Sequence, residues 1–523
     1  MRRLMVAAAL ATLLACSGAD EPAAPAPVRG GTLVLGITTD VDAWNEYLSA
    51  QAAAVAFHKR IWLRLAQETV DAAKGPEAFA PQLASAWRFS PDRRELRFTL
   101  REARWSDGVP VTAEDVVFTW RAQTSPAVAW VGAANKQRIL AVEAEGAREV
   151  VFRFDRAYPE QLADAADGGI VPRHVFGAVP FERWRTHDWS SSVVGSGPFT
   201  LERHAPGEEI VLRRNPAYHD PARPRVDRVV ARIVPDAAAL LAQFRAGGLD
   251  WVEGVAPAEA EGLKNLPGVR VDAVDIPGFD YVGWNGAKAP FDDREIRLAL
   301  TLAIDRRALV DDLLFGHGRV STGPVPSFWW NADPTLEALP FDPGRARRIL
   351  EARGYGPGRP LTVEMMTNVG NRLREGVVVK LQDQLAKSGV RVIPRPLEMK
   401  ALREIAASGR YDAFVGGWRF GAKIDLGSLF GSASVPPAGS NVVFYRSPEM
   451  DRLLEGLGSG TDAAGLRDLY AAIGRRLRDD QPYTFLYELR RLVATGPRLA
   501  GVRIDVPTDT LAHLDEVEVR GSR

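Results

Sequence analysis

Alternating apolar and polar positions predict a chain of short strands joined by helices. Over residues 95–101, Leu96, Phe98 and Leu100 alternate with polar side chains, and a period of two is typical of a strand with one buried face. Other apolar runs also predict strands, namely 30–38, 208–215, 226–234, 361–367, 390–396 and 411–418. Helical segments lie between them, so the pattern predicts a mixed α/β chain of several lobes.

Capping residues mark where two of the helices are expected to begin. Thr112 and Asp115 have the spacing of a capping box before a helix over residues 113–122. Residues 292–316 repeat apolar side chains at helical spacing, and Asp292 is the candidate cap. Both signals are local, so they predict elements but not how those elements pack.

Composition narrows the class of protein. The 523 residues leave room for about three or four domains. Lys and Arg total 66 and Asp and Glu total 66, and a zero net charge argues against a nucleic-acid-binding protein, which usually carries a basic excess. Apolar residues make up 46% of the chain, as in globular proteins, so intrinsic disorder and a polytopic membrane protein are poor interpretations.

The amino terminus has the pattern of an export signal. Two arginines precede the uncharged apolar run 4–15, which is too short to cross a bilayer. The single cysteine of the chain, Cys16, then follows Leu-Leu-Ala and resembles the end of a bacterial lipobox. We therefore expect residues 1–15 to be a lipoprotein signal peptide, Cys16 to carry lipid and residues 16–28 to be a tether. An ordinary secretory signal with an incidental cysteine is the alternative.

Motifs for catalysis and metal binding are absent from the sequence. No Gly-x-Ser-x-Gly elbow, phosphate-binding loop or paired-histidine motif occurs, and one cysteine excludes an intramolecular disulfide and a thiolate zinc site. We therefore expect no catalytic residue, no metal and no cofactor. Histidines and carboxylates that are distant in sequence can still meet in a fold, so an exported hydrolase stays an alternative.

Tryptophan is frequent, with 13 residues in the chain. Core packing is the better interpretation for any single tryptophan. Five of them, however, lie in or beside connections rich in Gly, Pro, Asn and Asp, and these are Trp44, Trp284, Trp329, Trp330 and Trp418. Aromatic side chains on loops can line a cleft, since they offer a large rigid surface with a polar edge.

Four segments, in the same order along the chain, resemble a known family. They are residues 81–120, with the pattern W-x-DG-x-P-x-TA-x-DV-x-F, and residues 194–220, 290–318 and 341–355. The sequence is similar to the extracellular solute-binding proteins of family 5, the oligopeptide-, dipeptide- and nickel-binding receptors of ABC importers. The resemblance extends over nearly all of residues 30–490.

The resemblance implies a fold of the type II periplasmic-binding-protein kind, α/β, with two lobes joined by a hinge and one inserted extra domain. Domain I would combine residues 29–64, 190–275 and 487–523. Domain II would be the insertion 65–189, and domain III would be 276–486. The solute would bind between domains I and III, which close over it.

The same resemblance implies where the solute would be bound. Three segments would face the cleft: the loop after the first strand, the first strand of domain III and the end of the strand 411–418. Their residues are Asp42, Trp44, Asn45, Tyr281, Trp284, Asn285, Trp418 and Arg419. Peptide-binding members of the family carry a carboxylate three residues after this last tryptophan, where it pairs with the α-ammonium of the ligand. Here Gly421 holds that place; Asp425 is the candidate replacement, and a helix cap before residue 426 is its alternative role.

These observations lead to one main hypothesis and two alternatives. We expect a monomeric, lipid-anchored receptor in the periplasmic space or on the cell surface. It would capture a solute, most simply a peptide, and deliver it to an ABC permease in the inner membrane. The alternatives are an exported lipoprotein hydrolase and a surface scaffold or chaperone that uses the same fold without transport.

Overall fold

The computed structural model of the protein describes residues 29–49, 51–69, 75–421, 423–458 and 462–521. The predicted signal peptide, Cys16 and the tether lie outside the described residues. Within the described ranges, no helix combines the length and the apolar character that crossing a membrane requires.

The strands of the described residues are short, with one exception near the carboxyl end. In chain order they are β1 Thr32–Ile37, β2 Ala66–Glu68, β3 Phe79–Pro81, β4 Ala84–Phe89, β5 Glu95–Leu100, β6 Ile139–Glu145, β7 Glu149–Phe154, β8 Phe199–Ala205, β9 Glu209–Arg214, β10 Arg228–Ile233, β11 Trp251–Glu253, β12 Arg270–Asp275, β13 Gly278–Trp284, β14 Gly318–Val320, β15 Leu361–Asn368, β16 Val390–Leu397, β17 Ala413–Arg419, β18 Tyr483–Thr495, β19 Leu499–Ala500 and β20 Glu518–Val519.

The α-helices lie between these strands along the chain. In chain order they are α1 Ala52–Ile61, α2 Ala113–Thr124, α3 Gln161–Ala166, α4 Arg173–Phe176, α5 Ala237–Arg245, α6 Pro257–Lys264, α7 Arg294–Leu302, α8 Arg306–Leu314, α9 Pro343–Ala352, α10 Arg372–Ala386, α11 Met399–Ser408, α12 Leu426–Phe430, α13 Pro448–Leu457 and α14 Ala463–Asp480.

In the described part of the chain, one sheet of twelve strands extends through two lobes. Its order is β16-β15-β17-β13-β18-β11-β1-β10-β9-β8, and β12 and β14 also pair with β18. We call the part built on β1 and β8 to β11 the first lobe, and the part built on β13 and β15 to β17 the second lobe. Parallel pairs occur in each lobe, whereas β18 is antiparallel to all its neighbours.

Strand β18 belongs to both lobes. Residues 483–487 pair with β13, and residues 490–495 pair with β12. The buried side chains follow the same division, because Phe485 and Tyr487 pack in cores of the second lobe and Leu492 and Ala494 in a core of the first. None of the core clusters found in the described residues combines side chains of both lobes. The lobes are therefore joined by backbone pairing and not by an apolar seam.

Charged side chains surround the place where the chain crosses between the lobes. Asp275, at the end of β12, accepts from Arg319 at 2.8 Å and from Arg490 at 3.1 Å. Glu488 accepts from the backbone N–H of Ser327 at 2.9 Å and from its hydroxyl at 2.7 Å. Polar contacts of this kind are directional, so they fix the register of the crossing without adding to either core.

A separate four-stranded antiparallel sheet, β4-β5-β7-β6, packs onto the first lobe. Leu33 of β1 and Phe98 of β5 are members of one buried cluster, so the small sheet shares a core with that lobe. Leu96, Phe98 and Leu100 are buried, while the side chains between them are half-exposed. The predicted strand with one buried face is confirmed here.

The prediction of one helix over residues 292–316 is wrong in two details. The structure has two helices, α7 and α8, and their caps are Asp293 and Asp305. Asp293 accepts from the N–H of Glu295 at 2.8 Å, and Asp305 accepts from the N–H of Ala308 at 3.0 Å. An N-cap residue has a non-helical backbone, so the first helix must end before Asp305. The cap of that first helix is Asp293, one residue after the predicted Asp292.

The predicted capping box before α2 is confirmed, and its carboxylate has further partners. Asp115 is buried and accepts from the N–H of Thr112 at 2.8 Å. It also accepts from the N–H of Arg173 at 2.8 Å and from the indole N–H of Trp105 at 3.4 Å. One carboxylate thus holds together the start of α2, the start of α4 and the connection that follows β5.

The substitution Asp115→Ala is expected to lower the free energy of unfolding by about 3 kcal/mol, because it leaves buried N–H groups without an acceptor. Denaturant unfolding followed by tryptophan fluorescence measures the change. The matched control is Glu114→Ala on the same helix, whose carboxylate is 57% exposed in its ion pair with Arg173; it is expected to change stability by at most about 0.5 kcal/mol. Equal effects of the two substitutions would contradict the role assigned to Asp115.

Candidate functional site

A cavity of about 800 Å³ lies between the two lobes, beside the place where the chain crosses. This volume is within the usual range for sites that enclose a small molecule. Helix α1, strand β2, the end of α3 and residues 506–509 form its wall on the first lobe. Residues 276–277 and Arg491 form its base at the crossing, and residues 419–421, 423 and 425 form its wall on the second lobe.

Charges of both signs line this cavity. Its basic residues are Lys59, Arg60, Arg64, Arg419, Lys423 and Arg491, and its carboxylates are Glu68, Asp164, Asp167, Asp425 and Asp509. A solute that carries both an ammonium and a carboxylate finds partners for each in such a lining, whereas a purely apolar solute would leave the charges unsolvated. The lining therefore favours a polar, zwitterionic solute.

An ion pair closes one side of the cavity from lobe to lobe. The ammonium of Lys423 lies 3.0 Å and 3.3 Å from the two carboxylate oxygens of Asp164, at the end of α3. Asp164 is only 3% exposed and also accepts from the hydroxyl of Tyr158 at 2.8 Å. Burial raises the pKa of Asp164, and the neighbouring Lys423 acts in the opposite direction. This pair is a direct contact between α3, which follows the small sheet along the chain, and the second lobe.

Most charges on the wall of the first lobe are already paired within that lobe. Arg60 and Asp509 form a buried ion pair at 2.5 Å. Arg64 lies 3.2 Å from Glu46 and 3.6 Å from Asp167. The two charges of each pair compensate one another for the loss of hydration. The pairs therefore form fixed dipoles at the cavity surface.

Glu68 is the carboxylate of this wall with the weakest pairing. Burial raises its pKa, and Lys59 lowers it in part. Its side chain accepts from the hydroxyl of Thr508 at 3.2 Å. A cationic group of a solute placed beside Glu68 would favour the ionised form, because an opposite charge stabilises a buried carboxylate.

Two of the residues predicted from sequence, Arg419 and Asp425, line the cavity. Arg419 donates to Asp280 at 2.6 Å and to the carbonyl of Trp418 at 2.8 Å. One oxygen of Asp425 accepts from the N–H of Ser428 at 3.1 Å, so this residue caps α12. Asp425 therefore lies both at the start of a helix and at the cavity, the two alternatives that the sequence left open.

The other predicted residues on the second lobe lie in its core. Tyr281 stacks on Tyr483 with ring centroids 3.8 Å apart. The indole N–H of Trp284 donates to the hydroxyl of Thr484 at 2.9 Å, and both side chains are fully buried. These contacts bind β13 to β18, and the predicted contact of both residues with a solute stays a prediction.

Asn285 and Trp418 also take part in packing. The amide of Asn285 donates to the carbonyls of Gly409 and Tyr411, both at 2.8 Å. Trp418 is half-buried, packs against the same core as Trp329 and Trp330, and points its N–H to the hydroxyl of Tyr483 at 3.3 Å. Their predicted contact with a solute stays a prediction.

The three residues predicted on the loop after β1 lie away from the cavity between the lobes. Asp42 and Trp44 line a separate groove of about 410 Å³, and the indole N–H of Trp44 donates to His204 at 2.9 Å. Asn45 is fully buried and accepts from the N–H of Tyr47 at 3.0 Å. In this arrangement the loop is held by polar contacts within itself and with β8.

Sequence reasoning did not identify Glu68, Asp164 or Lys423. No local pattern marks them, because they come from three distant segments and acquire their surroundings only when the lobes meet. The described residues contain no group of three or more His, Cys, Asp or Glu side chains that could hold a metal ion.

Comparison of the sequence with known proteins gives one family. The model of bacterial extracellular solute-binding proteins, family 5 Middle, matches residues 78–431. The oligopeptide-binding protein AppA of Bacillus subtilis is 29% identical over 518 residues, which are 94% of this chain and 93% of that protein. The probable D,D-dipeptide-binding periplasmic protein DdpA of Escherichia coli is 25% identical, over 94% of this chain and 95% of that protein.

Comparison of the fold gives the same result. The structure of Bacillus subtilis AppA in complex with a nonapeptide has a TM-score of 0.78 at 26% identity, over 95% of this chain and 100% of that chain. The substrate-binding protein CtaP from Listeria monocytogenes has a TM-score of 0.85 at 22% identity, over 94% of this chain and 100% of that chain. The predicted α/β fold is confirmed by these matches over the full length.

The substitution Lys423→Met is expected to favour separation of the lobes in the unliganded protein. It removes the ion pair with Asp164, a contact worth about 1–3 kcal/mol for a charged hydrogen bond. Small-angle X-ray scattering should then give a larger radius of gyration than for the unsubstituted protein. The control Lys400→Met removes an exposed lysine of α11 and should leave the radius unchanged. An unchanged radius for Lys423→Met would contradict a closing role for the pair.

Proposed function

The chain belongs to the bacterial extracellular solute-binding proteins of family 5, and from this membership we propose that it captures a peptide between its lobes and delivers it to an ABC transporter. The family consists of binding proteins without catalytic activity, so the hydrolase that the sequence left open is set aside. The observation that carries the proposal is the cavity between the lobes, with charges of both signs on its walls.

Similar proteins support a peptide as the solute. AppA is named as an oligopeptide-binding protein and its structure contains a nonapeptide, and DdpA is named as a probable binder of D,D-dipeptides. A peptide is a zwitterion with a polar backbone, which agrees with the mixed charge of this cavity. Gly421 stands where peptide-binding members of the family carry a carboxylate. A Cβ added here would meet no atom within 4 Å apart from its chain neighbours, so the position is empty of side chains and the contact to the peptide amine would be altered.

We propose that carboxylates from both walls replace the missing contact. Asp425 retains one carboxylate oxygen beyond its cap to α12, and it lines the cavity four residues after Gly421. On the opposite wall, Glu68 is half-buried and accepts from the hydroxyl of Thr508 at 3.2 Å. Arg419, held by Asp280, would meet the peptide from the second lobe. The aromatic residues predicted at the cleft would act mainly by fixing the strands behind it.

Domain boundaries follow the sequence-based expectation in this proposal. Residues 29–64, 190–275 and 487–523 would move as one body together with the insertion 65–189, and residues 276–486 would move as the other. The chain passes between the lobes in two places, in the short connection between β12 and β13 and in the polar middle of β18. Both places support hinges. Closure around the solute would draw on contacts that form only when the lobes meet.

The lipid anchor belongs to the same proposal. Cys16 would carry the lipid, residues 16–28 would form the tether, and the binding domains would stand outside the cytoplasm. From there a monomer would reach an ABC permease in the inner membrane. Two or more acyl chains are enough for stable attachment to a membrane.

Peptide capture is tested by thermal unfolding and calorimetry with di-, tri- and oligopeptides. A bound peptide at about a hundred times its Kd should raise the unfolding free energy by about 2.7 kcal/mol. Asp425→Asn should weaken binding about tenfold or more if its carboxylate contacts the peptide amine. Asp468→Asn, at an exposed position of α14, is the matched control and should bind normally. Failure of every peptide to stabilise the protein would favour the scaffold or chaperone alternative.

Lipid attachment is tested by the substitution Cys16→Ser. The unsubstituted protein should remain with the membrane fraction and should incorporate labelled palmitate, whereas Cys16→Ser should do neither. Mass spectrometry of the mature amino terminus identifies the acyl groups. A mature protein that begins at another residue and carries no lipid would support the ordinary secretory signal instead.

A further inference from the structure

A second cavity adjoins the one between the lobes. It measures about 350 Å³ and lies in the first lobe, below α1 and beside the carboxyl-terminal segment. Lys59, Arg60, Gln67 and Gln82 line both cavities. We call this second space the side cavity; its shared wall allows one solute to extend from one space to the other.

Basic side chains dominate the side cavity. It is lined by Lys59, Arg60, Arg101, Arg223 and Arg503, against the carboxylates Asp220, Asp515 and Glu516. All three carboxylates are engaged by Arg223, at 3.4 Å, 3.5 Å and 2.8 Å respectively. Glu516 is also 3.1 Å from Arg503. The acids of the lining are thus engaged by two arginines, and Lys59 and Arg60 share the carboxylate of Asp509, so within the described residues Arg101 is the basic residue of this lining that keeps an unbalanced charge.

Three nitrogen atoms of the lining residues have no hydrogen-bond partner in the described part of the chain. They are Nη1 of Arg60, Nε of Arg101 and Nδ1 of His219, and all three atoms are buried. Arg60 as a whole is only 4% exposed. A buried polar group without a partner destabilises the protein, and more so when it is charged. Three such atoms from three separate segments therefore mark a place where an acceptor would be strongly stabilised.

Arg101 differs from the other arginines of this cavity. Its guanidinium makes neither an ion pair nor a hydrogen bond to any residue that the structure describes. Arg60, by contrast, is held by Asp509, and Arg223 by its three carboxylates. Arg101 is thus a cation of the lining whose charge is not balanced by a neighbouring carboxylate.

The pKa of His219 is lowered mainly by burial, to about 4, and the neighbouring Arg101 and Arg223 add to the effect while Asp220 opposes them. The ring is therefore neutral at pH 7. In the same region burial lowers the pKa of Lys59, and Arg64 and Arg60 add to the effect against Asp509.

We propose that the side cavity binds an oxyanion, a carboxylate or a phosphate group, between Arg60, Arg101 and His219. Oxyanions accept several charge-assisted hydrogen bonds at once, and arginine presents donors in a matching planar array. The anion is either free in solution or the acidic end of a solute held between the lobes, because the two cavities share a wall.

Calorimetry with inorganic phosphate at constant ionic strength tests the proposal without any peptide. Phosphate should bind to the full chain, and Arg101→Gln should weaken binding about tenfold or more. The control Arg88→Gln changes an exposed arginine of β4 that lines neither cavity, and it should bind as the unsubstituted protein does. Equal loss in both variants would show non-specific attraction and would overturn the proposal, as would absence of phosphate binding in the unsubstituted protein.

A second measurement needs no substitution, so it holds even if Arg101→Gln fails to fold. The pKa of His219, followed by NMR in the unsubstituted protein, should rise when phosphate is added, because the anion opposes the positive field of Arg101 and Arg223. A pKa that does not move with saturating phosphate would count against the site.

The source of the anion is found by comparing peptides with a free and an amidated carboxyl terminus. If the peptide end occupies the side cavity, Arg101→Gln should weaken binding of the free acid and not of the amide. If both peptides bind equally to both variants while phosphate binding depends on Arg101, the ligand is a free oxyanion. Failure of all peptides would contradict the proposed function alone, since the phosphate measurements do not involve them.

Discussion

The backbone pairing of β18 is the interaction on which the rest of the molecule depends. One continuous strand of 13 residues supplies a neighbour to β13 in the second lobe and to β11 and β12 in the first. The side chains at its two ends pack in different cores, and its middle is polar. Because hydrogen bonds hold the crossing while no apolar cluster of the described residues spans it, the lobes are connected without being fused.

This connection explains where the cavity is and what lines it. The space opens beside the crossing, where both lobes present charged side chains. Charges there are costly to dehydrate, and the structure reduces this cost by pairing them within the first lobe and, through Lys423 and Asp164, across the lobes. When a solute enters the cavity, its polar groups lose their contacts with water and form contacts with ion pairs that are already in place. The side cavity continues the same wall with an excess of arginine.

Individual elements show how far the sequence can be interpreted. The alternation at Leu96, Phe98 and Leu100 and the capping box at Asp115 are both present in the structure, since each depends on neighbours a few residues away. The helix over 292–316 was predicted as one because its apolar spacing continues through Asp305. The cap at Asp305 divides it, and an isolated aspartate gives no sign of whether it will cap or face solvent.

The sequence by itself determined the α/β character, the positions of seven strands, the capping box of α2 and the family resemblance, because these follow from periodicity and from motifs within short segments. Only the tertiary structure decided the surroundings of the site. Asp164 and Lys423 are 259 residues apart, and Arg60 and Asp509 are 449 apart. Whether such side chains meet depends on how two lobes pack and cross, and no local spacing encodes that. The fold also decided the surroundings of Trp284: this residue, which the family resemblance implies at the cleft, is fully buried at the end of β13, where its indole joins that strand to β18.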